Sequence, residues 1–261
     1  MKVMSFNLLC GGAGGRDWKV RKEMVVDTIS KAAPDTFGVQ EAHYDWIRTL
    51  CDGLPDYAFV GVGRDDGKTK GEYSAVFYKK DAYTLLDSGS FWLSETPDVP
   101  GVKGWDAACV RVCSYAKLQE KATGRQFVHF NTHLDHRGFV AMQKGAELVA
   151  EKAKQLCPDL PAFFTGDFNV TPDSAPYRTV IAGGFRDARL IAPVTDNGPT
   201  FHWAVYVTDE TEEAESIIDY CFVKGDVSVK TYRVIRETYP GALYPSDHYP
   251  VLVELDLPPV H

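Results

Sequence analysis

Strand-like apolar runs dominate this chain, and helical patterns fall between only some of them. The runs are Lys2–Asn7, Asp35–Gln40, Tyr57–Val62, Tyr73–Tyr78, Cys109–Leu118, Gln126–Thr132, Pro161–Gly166, Ile217–Val223, Val227–Val234 and Pro250–Leu255. Helical periodicity marks Trp18–Ala33, Ala42–Leu50 and, most clearly, Gly138–Leu156. A doubly wound parallel sheet needs a crossover helix between successive parallel strands, and the chain has too few. The pattern therefore predicts an α/β (α+β) fold in which two sheets stack face to face and helices cover their outer faces. At 261 residues and 44% hydrophobic, the chain can bury the core that such a fold needs. No repeat and no Pro/Gly/Ser-rich linker divides it, so residues 1–261 are expected to form a single domain.

Several of these runs end in groups suited to chemistry. Lys2–Phe6 ends at Asn7, and Phe37-Gly38-Val39 ends at Gln40-Glu41. Phe127–Phe130 leads to Asn131-Thr132-His133-Leu134-Asp135-His136. Phe163-Phe164-Thr165-Gly166 leads to Asp167-Phe168-Asn169, whose two polar side chains point the same way on extended backbone. Ile217-Ile218 leads to Asp219, and Ser246-Asp247-His248 precedes the apolar Tyr249–Val253. Taken singly, each has a plain structural reading: Glu41 as a helix-start charge, Asp135 and His136 as turn residues, Asp167–Asn169 as an Asx-turn. Asp219 is harder to explain so, because a carboxylate inside an apolar strand is costly unless paired; His248 is a candidate partner. Together they place hard oxygen donors (Glu41, Asp167, Asp247, with the amides Asn7 and Asn169) among two histidines, His133 and His248. Such a set suits Mg2+ or Mn2+. No histidine pair has the i, i+4 helical spacing that would favour zinc. Metal, acid, amide and imidazole make a hydrolysis kit, with a phosphate ester as the natural substrate.

The bulk properties narrow the partners. The formal net charge is −8, which disfavours electrostatic capture of long nucleic acids but not of small phosphates. The loops at residues 64–71 and 209–215 read as solvated charged surface. Gly11-Gly12-Ala13-Gly14-Gly15 reads as a loop, since it lacks the Lys-Ser/Thr of a phosphate-cradling P-loop. Six cysteines include no C-x-x-C pair, so a structural zinc site is not expected. Cys109 and Cys113, on one expected strand, stand about 13 Å apart, too far for a disulfide. No apolar run approaches the roughly 20 residues of a membrane span. Met1 leads directly into a strand-like run with no signal peptide, compatible with a cytoplasmic protein or a secreted one already trimmed.

The ordered set Met4-Ser5-Phe6-Asn7, Val39-Gln40-Glu41, Asn131-Thr132-His133-Leu134, Gly166-Asp167-Phe168-Asn169, Ile218-Asp219-Tyr220 and Ser246–Val251 resembles the endonuclease/exonuclease/phosphatase superfamily of metal-dependent phosphoesterases. The resemblance implies a four-layered α/β sandwich with two mixed sheets face to face. It implies Glu41 as principal metal ligand, Asn7 near metal and phosphate, and Asp247 as a further ligand. It implies that Asp167 binds or deprotonates the attacking water while Asn169 positions water or phosphate. His133 and His248 become donors to the scissile phosphate, and Asp219 the group that orients a histidine. Asp167 and His248 both remain candidate bases. Abasic-site repair members carry Asn-x-Asp where this chain has Leu9. The Thr132-His133-Leu134 motif is closer to deadenylase-like, sphingomyelinase-like and deoxyribonuclease-like members, leaving a nuclease as the alternative activity. The segment Phe91–Pro97 with Gly104-Trp105-Asp106-Ala107-Ala108 and Arg111 resembles a bacterial branch. Trp92 and Trp105 are either core aromatics or a stacking surface for substrate in the cleft.

Overall fold

The computed structural model describes residues 1–12, 16–206 and 216–259; the acidic stretch at 209–215 lies outside them. In chain order the described elements are β1 (Lys2–Asn7), α1 (Trp18–Ala32), β2 (Thr36–Gln40), α2 (Tyr44–Gly53), β3 (Tyr57–Val60), β4 (Val76–Lys79), β5 (Tyr83–Trp92), β6 (Val112–Glu120), β7 (Gln126–His133), α3 (Phe139–Leu156), β8 (Ala162–Asp167), α4 (Ala175–Ala182), β9 (Arg186–Asp187), α5 (Ala188–Ile191), β10 (Val194–Thr195), β11 (Asp219–Lys224), β12 (Ser228–Val234) and β13 (Val251–Asp256). They form two mixed sheets, ordered β10-β12-β13-β1-β2-β4-β3 and β5-β6-β7-β8-β11-β9.

Alternation along each strand divides the interior into layers. On β1, Met4 and Phe6 pack with Val25 and Ile29 of α1 and Ile47 of α2. On β8, Phe164 packs with Val149 of α3 and Val180 of α4. The opposite faces meet between the sheets, where Val3, Phe127, Phe163, Val223 and Val253 share one cluster. The order is helices, sheet, sheet, helices, as the sequence predicts. Among the described residues no helix is long and apolar enough to cross a membrane.

The gap between the sheets changes from apolar at one end to polar at the other. Its middle is a buried hydrogen-bond ladder. Thr36 Oγ1 and Thr165 Oγ1 bracket the two nitrogens of His129, each at 2.8 Å, and burial lowers the His129 pKa to about 3, keeping the ring neutral. Asn131 donates to the carbonyls of Val39 and Ala75 and accepts from Gln40 Nε2 at 2.7 Å and Thr165 Oγ1 at 3.0 Å. Apart from Gln40 Oε1, which finds no partner, the polar groups of this ladder are satisfied, and such a network fixes how the two sheets register.

Glycine is required where strands crowd. A Cβ on Gly38 would overlap the side chains of Asn131 and Thr165, and one on Gly166 would overlap the Thr132 carbonyl of β7. Gly166→Ala is expected to cost about 1–3 kcal/mol, measured as a lower denaturant midpoint at unchanged slope. An unchanged midpoint would show that β7 and β8 are not packed this closely.

The structure departs from the sequence reading at several elements. β5 escaped notice because it is a sheet-edge strand whose residues Thr84 to Ser88 are exposed, so it lacks an apolar alternation. α4 and α5 are short, and each starts on a side-chain cap: Ser174 accepts from the Tyr177 N–H, and Asp187 from the Arg189 N–H. β6 begins at Val112, so Cys109 lies in the preceding loop rather than on a strand with Cys113. All six cysteines are free.

Candidate active site

Strand ends converge on one edge of the sandwich. β1 and β2 are parallel and set Asn7 beside Gln40, one residue before Glu41. β7 and β8 are parallel and set His133 beside Asp167. β11 runs antiparallel to β8 and begins where β8 ends, so Asp219 pairs with Asp167. Ser246–His248 enters from the loop before β13. The carboxyl ends of parallel strands are where open α/β sheets hold ligands, and here two such ends face each other across the sandwich.

Asp167 is the hub. Its Oδ2 accepts from Asn7 Nδ2 at 3.0 Å and lies 3.4 Å from His133 Nε2 and 3.7 Å from His248 Nε2. Its Oδ1 accepts the Asn169 N–H at 2.9 Å, the Asx-turn foreseen in the sequence. Burial is the largest influence on Asp167 and raises its pKa; the His248 charge opposes it, and Asp219 and Glu41 reinforce it. Glu41 adopts left-handed backbone (φ 57°) immediately after β2, a conformation that costs a non-glycine residue about 1–2 kcal/mol. That turn brings Glu41 Oε1 within 3.1 Å of Asn7 Nδ2 and Oε2 within 2.8 Å of the Cys10 N–H. Burial opposes ionisation of Glu41, but the Cys10 N–H and the His248 charge outweigh it and hold its pKa below the usual carboxylate range.

The two histidines differ in state. His248 Nδ1 bonds Asp219 Oδ2 at 2.9 Å. Burial works against its charge, yet Asp219 and Asp167 outweigh that cost and raise its pKa to about 10. It is therefore an imidazolium with Nε2–H turned toward Asp167. His133 is neutral, its pKa pushed well down by burial and then by Arg111. The Asn169 amide fixes its tautomer. Asn169 Nδ2 donates to the Leu134 carbonyl at 3.0 Å and reaches His133 Nε2 at 2.9 Å, so Nε2 accepts and Nδ1 carries the proton.

Glu41, Asp167 and His248 each offer a donor atom, all within 4.8 Å of one another. With His248 held as a cation by Asp219, the two carboxylates are the natural ligands, and their hard oxygens fit Mg2+ or Mn2+. Asn7 lies between the two carboxylates, with its amide oxygen turned away from them: its Oδ1 accepts the Leu9 N–H at 3.0 Å, and its NH2 bridges Glu41 and Asp167. Asp247 is drawn to Arg16 at 2.9 Å and stands outside the Glu41–Asp167–His248 group. Trp105 does not line the cleft; a left-handed turn (φ 49°) anchors its N–H on the Glu95 carboxylate. Trp92 is buried, with Nε1–H on the Arg64 carbonyl at 2.6 Å.

The cleft over Asp167 has a volume of about 600 Å3 and is also lined by Arg16, Arg64, Arg111, His136, Phe201 and Trp203. Sequence reasoning named Arg111 and His136 but assigned none of these residues to the site. Arg64 lay in a loop read as solvated surface, but its side chain is only 16% exposed and pairs with Glu72 at 2.5 Å. Phe201 and Trp203 sit in a loop with no strand pattern; Trp203 is 70% exposed, and Phe201 lies 4.5 Å from the His248 ring. Asp135 is a turn residue, as its plain reading had it: it accepts the N–H groups of Ala108, Cys109, Arg137 and Gly138.

A sequence model described as the Endonuclease/Exonuclease/phosphatase family matches residues 4–248 of the chain, from the β1 motif to His248. The chain belongs to the endonuclease/exonuclease/phosphatase family. The crystal structure of a family member from Bacteroides vulgatus superposes with a TM-score of 0.92 at 40% identity, covering 98% of both chains. A mannosyl-6-phosphatase from Bacteroides thetaiotaomicron gives 0.91 at 39% identity, over 98% of this chain and 100% of that one. Nocturnin of Drosophila melanogaster is 25% identical over 93% of this chain but only 42% of its own length. The chain spans about half the length of the curated relatives it matches, 42%, 47% and 52% for three of them. Members of this family hydrolyse phosphoesters, and the two mixed sheets of this chain carry the family fold.

Proposed function

We propose that this chain is a divalent-metal-dependent hydrolase that cleaves a phosphate ester by attack of water on phosphorus. The observation that carries this reading is the placement of Asp167: one buried carboxylate shared by the Asn7 amide, an imidazolium and a neutral imidazole. Asp167, which burial makes a stronger base than an ordinary carboxylate, accepts the proton of the attacking water. The water oxygen forms a bond to phosphorus as the bond to the leaving oxygen breaks. His248 donates from Nε2 to that oxygen, and Asp219 retains the ring's orientation. His133, whose Nδ1–H is the ring's unengaged donor, holds the phosphate in line, while Asn169 fixes that tautomer. Glu41 and Asp167 would hold Mg2+ or Mn2+, which would supply positive charge to the phosphate oxygens.

Similarity to a mannosyl-6-phosphatase and the net charge of −8 support a small phosphorylated substrate over a long polyanion. A nuclease is the second reading. It is supported by similarity to a protein described as the CCR4-Not complex 3'-5'-exoribonuclease subunit Ccr4 from Emericella nidulans, 21% identical over 98% of this chain. The match over residues 4–248 supports residues 1–261 as one domain.

The test is release of phosphate or alcohol from a panel of phosphomonoesters, diesters, phospholipids and oligonucleotides with Mg2+ or Mn2+. Hydrolysis of small esters is expected, abolished by EDTA and restored by Mg2+. Turnover undiminished by EDTA would overturn the metal-dependent reading. Oligonucleotides cut orders of magnitude faster than every small ester would favour the nuclease.

A further inference from the structure

One end of the cleft holds more buried donors than acceptors. Arg111 is 4% exposed, stands immediately before β6 and lines the cleft with His133. Its Nη2 meets His136 Nδ1 at 3.2 Å, and its Nε stands 3.6 Å from Asp135 Oδ2. Among the described residues, Arg111 Nε and Nη1, Arg64 Nε and His133 Nδ1 are buried without a hydrogen-bond partner. The carboxylates nearby are already engaged: Asp135 by four backbone N–H groups and Glu72 by Arg64. Cys109, Asp135 and His136 could group around a cation by distance alone, but the Arg111 guanidinium beside them repels one. Buried donors without acceptors are costly, and an anion with several oxygens relieves them together.

The geometry points to Arg111, with Arg64 and His136, as an oxyanion subsite beside the hydrolytic centre that takes the terminal oxygens of a phosphomonoester, so that monoesters are preferred over diesters. The inference rests on the phosphoester-hydrolase reading above. A monoester phosphate carries close to two negative charges at neutral pH, with a second pKa near 6, and three terminal oxygens. A diester carries one charge and two. His248 and the carboxylate-bound cation meet the charge common to both, and the Arg111 end meets the additional oxygen and charge of the monoester. A bidentate guanidinium is suited to that task in a way a lysine is not.

The experiment measures kcat/KM for p-nitrophenyl phosphate and bis-p-nitrophenyl phosphate with Mg2+, in the parent protein and in Arg111→Gln and Arg111→Lys. The expected result is a monoester rate that falls about 10- to 100-fold in both variants, the scale of a charge-assisted hydrogen bond, while the diester rate changes by less than about 3-fold. An equal fall on both esters, a parent preference for the diester, or a larger fall on an oligonucleotide overturns the proposal. Should Arg111→Gln not fold, Arg111→Lys and Arg64→Gln, each with parental Tm, carry the same comparison. Calorimetric titration with inorganic phosphate gives a readout without turnover. An affinity weakened at least about 10-fold in Arg111→Lys supports the subsite, and unchanged affinity overturns it. Were the parent to hydrolyse neither ester nor any member of the panel above, the hydrolase reading would fail while the phosphate titration still decided the subsite.

Discussion

Asp167→Asn lowers kcat by at least about 10²-fold, the usual scale for a group that moves a proton in the transition state. The amide keeps the shape of the carboxylate and can still accept the Asn169 N–H that Asp167 Oδ1 accepts at 2.9 Å. It cannot take a proton from water or bring a negative charge to a cation. It also turns an NH2 toward His248 Nε2, which lies 3.7 Å from Asp167 Oδ2. That NH2 also meets Asn7 Nδ2, 3.0 Å from Asp167 Oδ2, so a lower melting temperature is expected, and loss of activity well below that temperature isolates chemistry from folding. Near-normal turnover would remove Asp167 from its assigned role.

His248→Ala has an effect of similar size on kcat, at least about 10²-fold, with a stability change of its own. The ring is 4% exposed and bonded to Asp219, itself 1% exposed, so the variant strands a buried carboxylate. Breaking a buried pair by removing one partner typically costs about 3–5 kcal/mol. The sign of the pH dependence follows from the raised pKa of His248, about 10 in the folded protein against about 6.5 unfolded. Its contribution to stability is fully present below about pH 6.5 and is lost as pH rises through about 10. The stability gap between the metal-free parent and the variant should thus be widest in mild acid and close toward pH 10. A gap that widens with pH, or turnover close to normal, would contradict the Asp219–His248 assignment.

The layers were legible because burial imposes period-two alternation on strands and a broader stripe on helices. β1, β2, β7, β8, β11 and β13 carry strong apolar runs, and these are the strands nearest the site. β5 was hidden because an edge strand has little to bury. The site residues could be found at run ends, since a strand that stops at a polar residue exposes it at the rim of the sheet. What the sequence could not show was how each side chain is shared. Whether Asn7 offers oxygen or NH2 depends on the Leu9 N–H two residues on, and Asp247 turns to Arg16 across 231 positions of sequence. Arg64 and Arg111 were hidden for the same reason: a buried guanidinium has the same letter as a solvated one. Trp203, and not Trp105, reaches the cleft because a loop outside any regular element carries it there.

Hydrolysis in water enriched in 18O tests the central claim, attack of water at phosphorus in this cleft, most directly. With a phosphomonoester and Mg2+ under single-turnover conditions, mass spectrometry should find one solvent-derived 18O in each phosphate released and none in the alcohol. Label in the alcohol with unlabelled phosphate would place the attack on carbon and contradict the account.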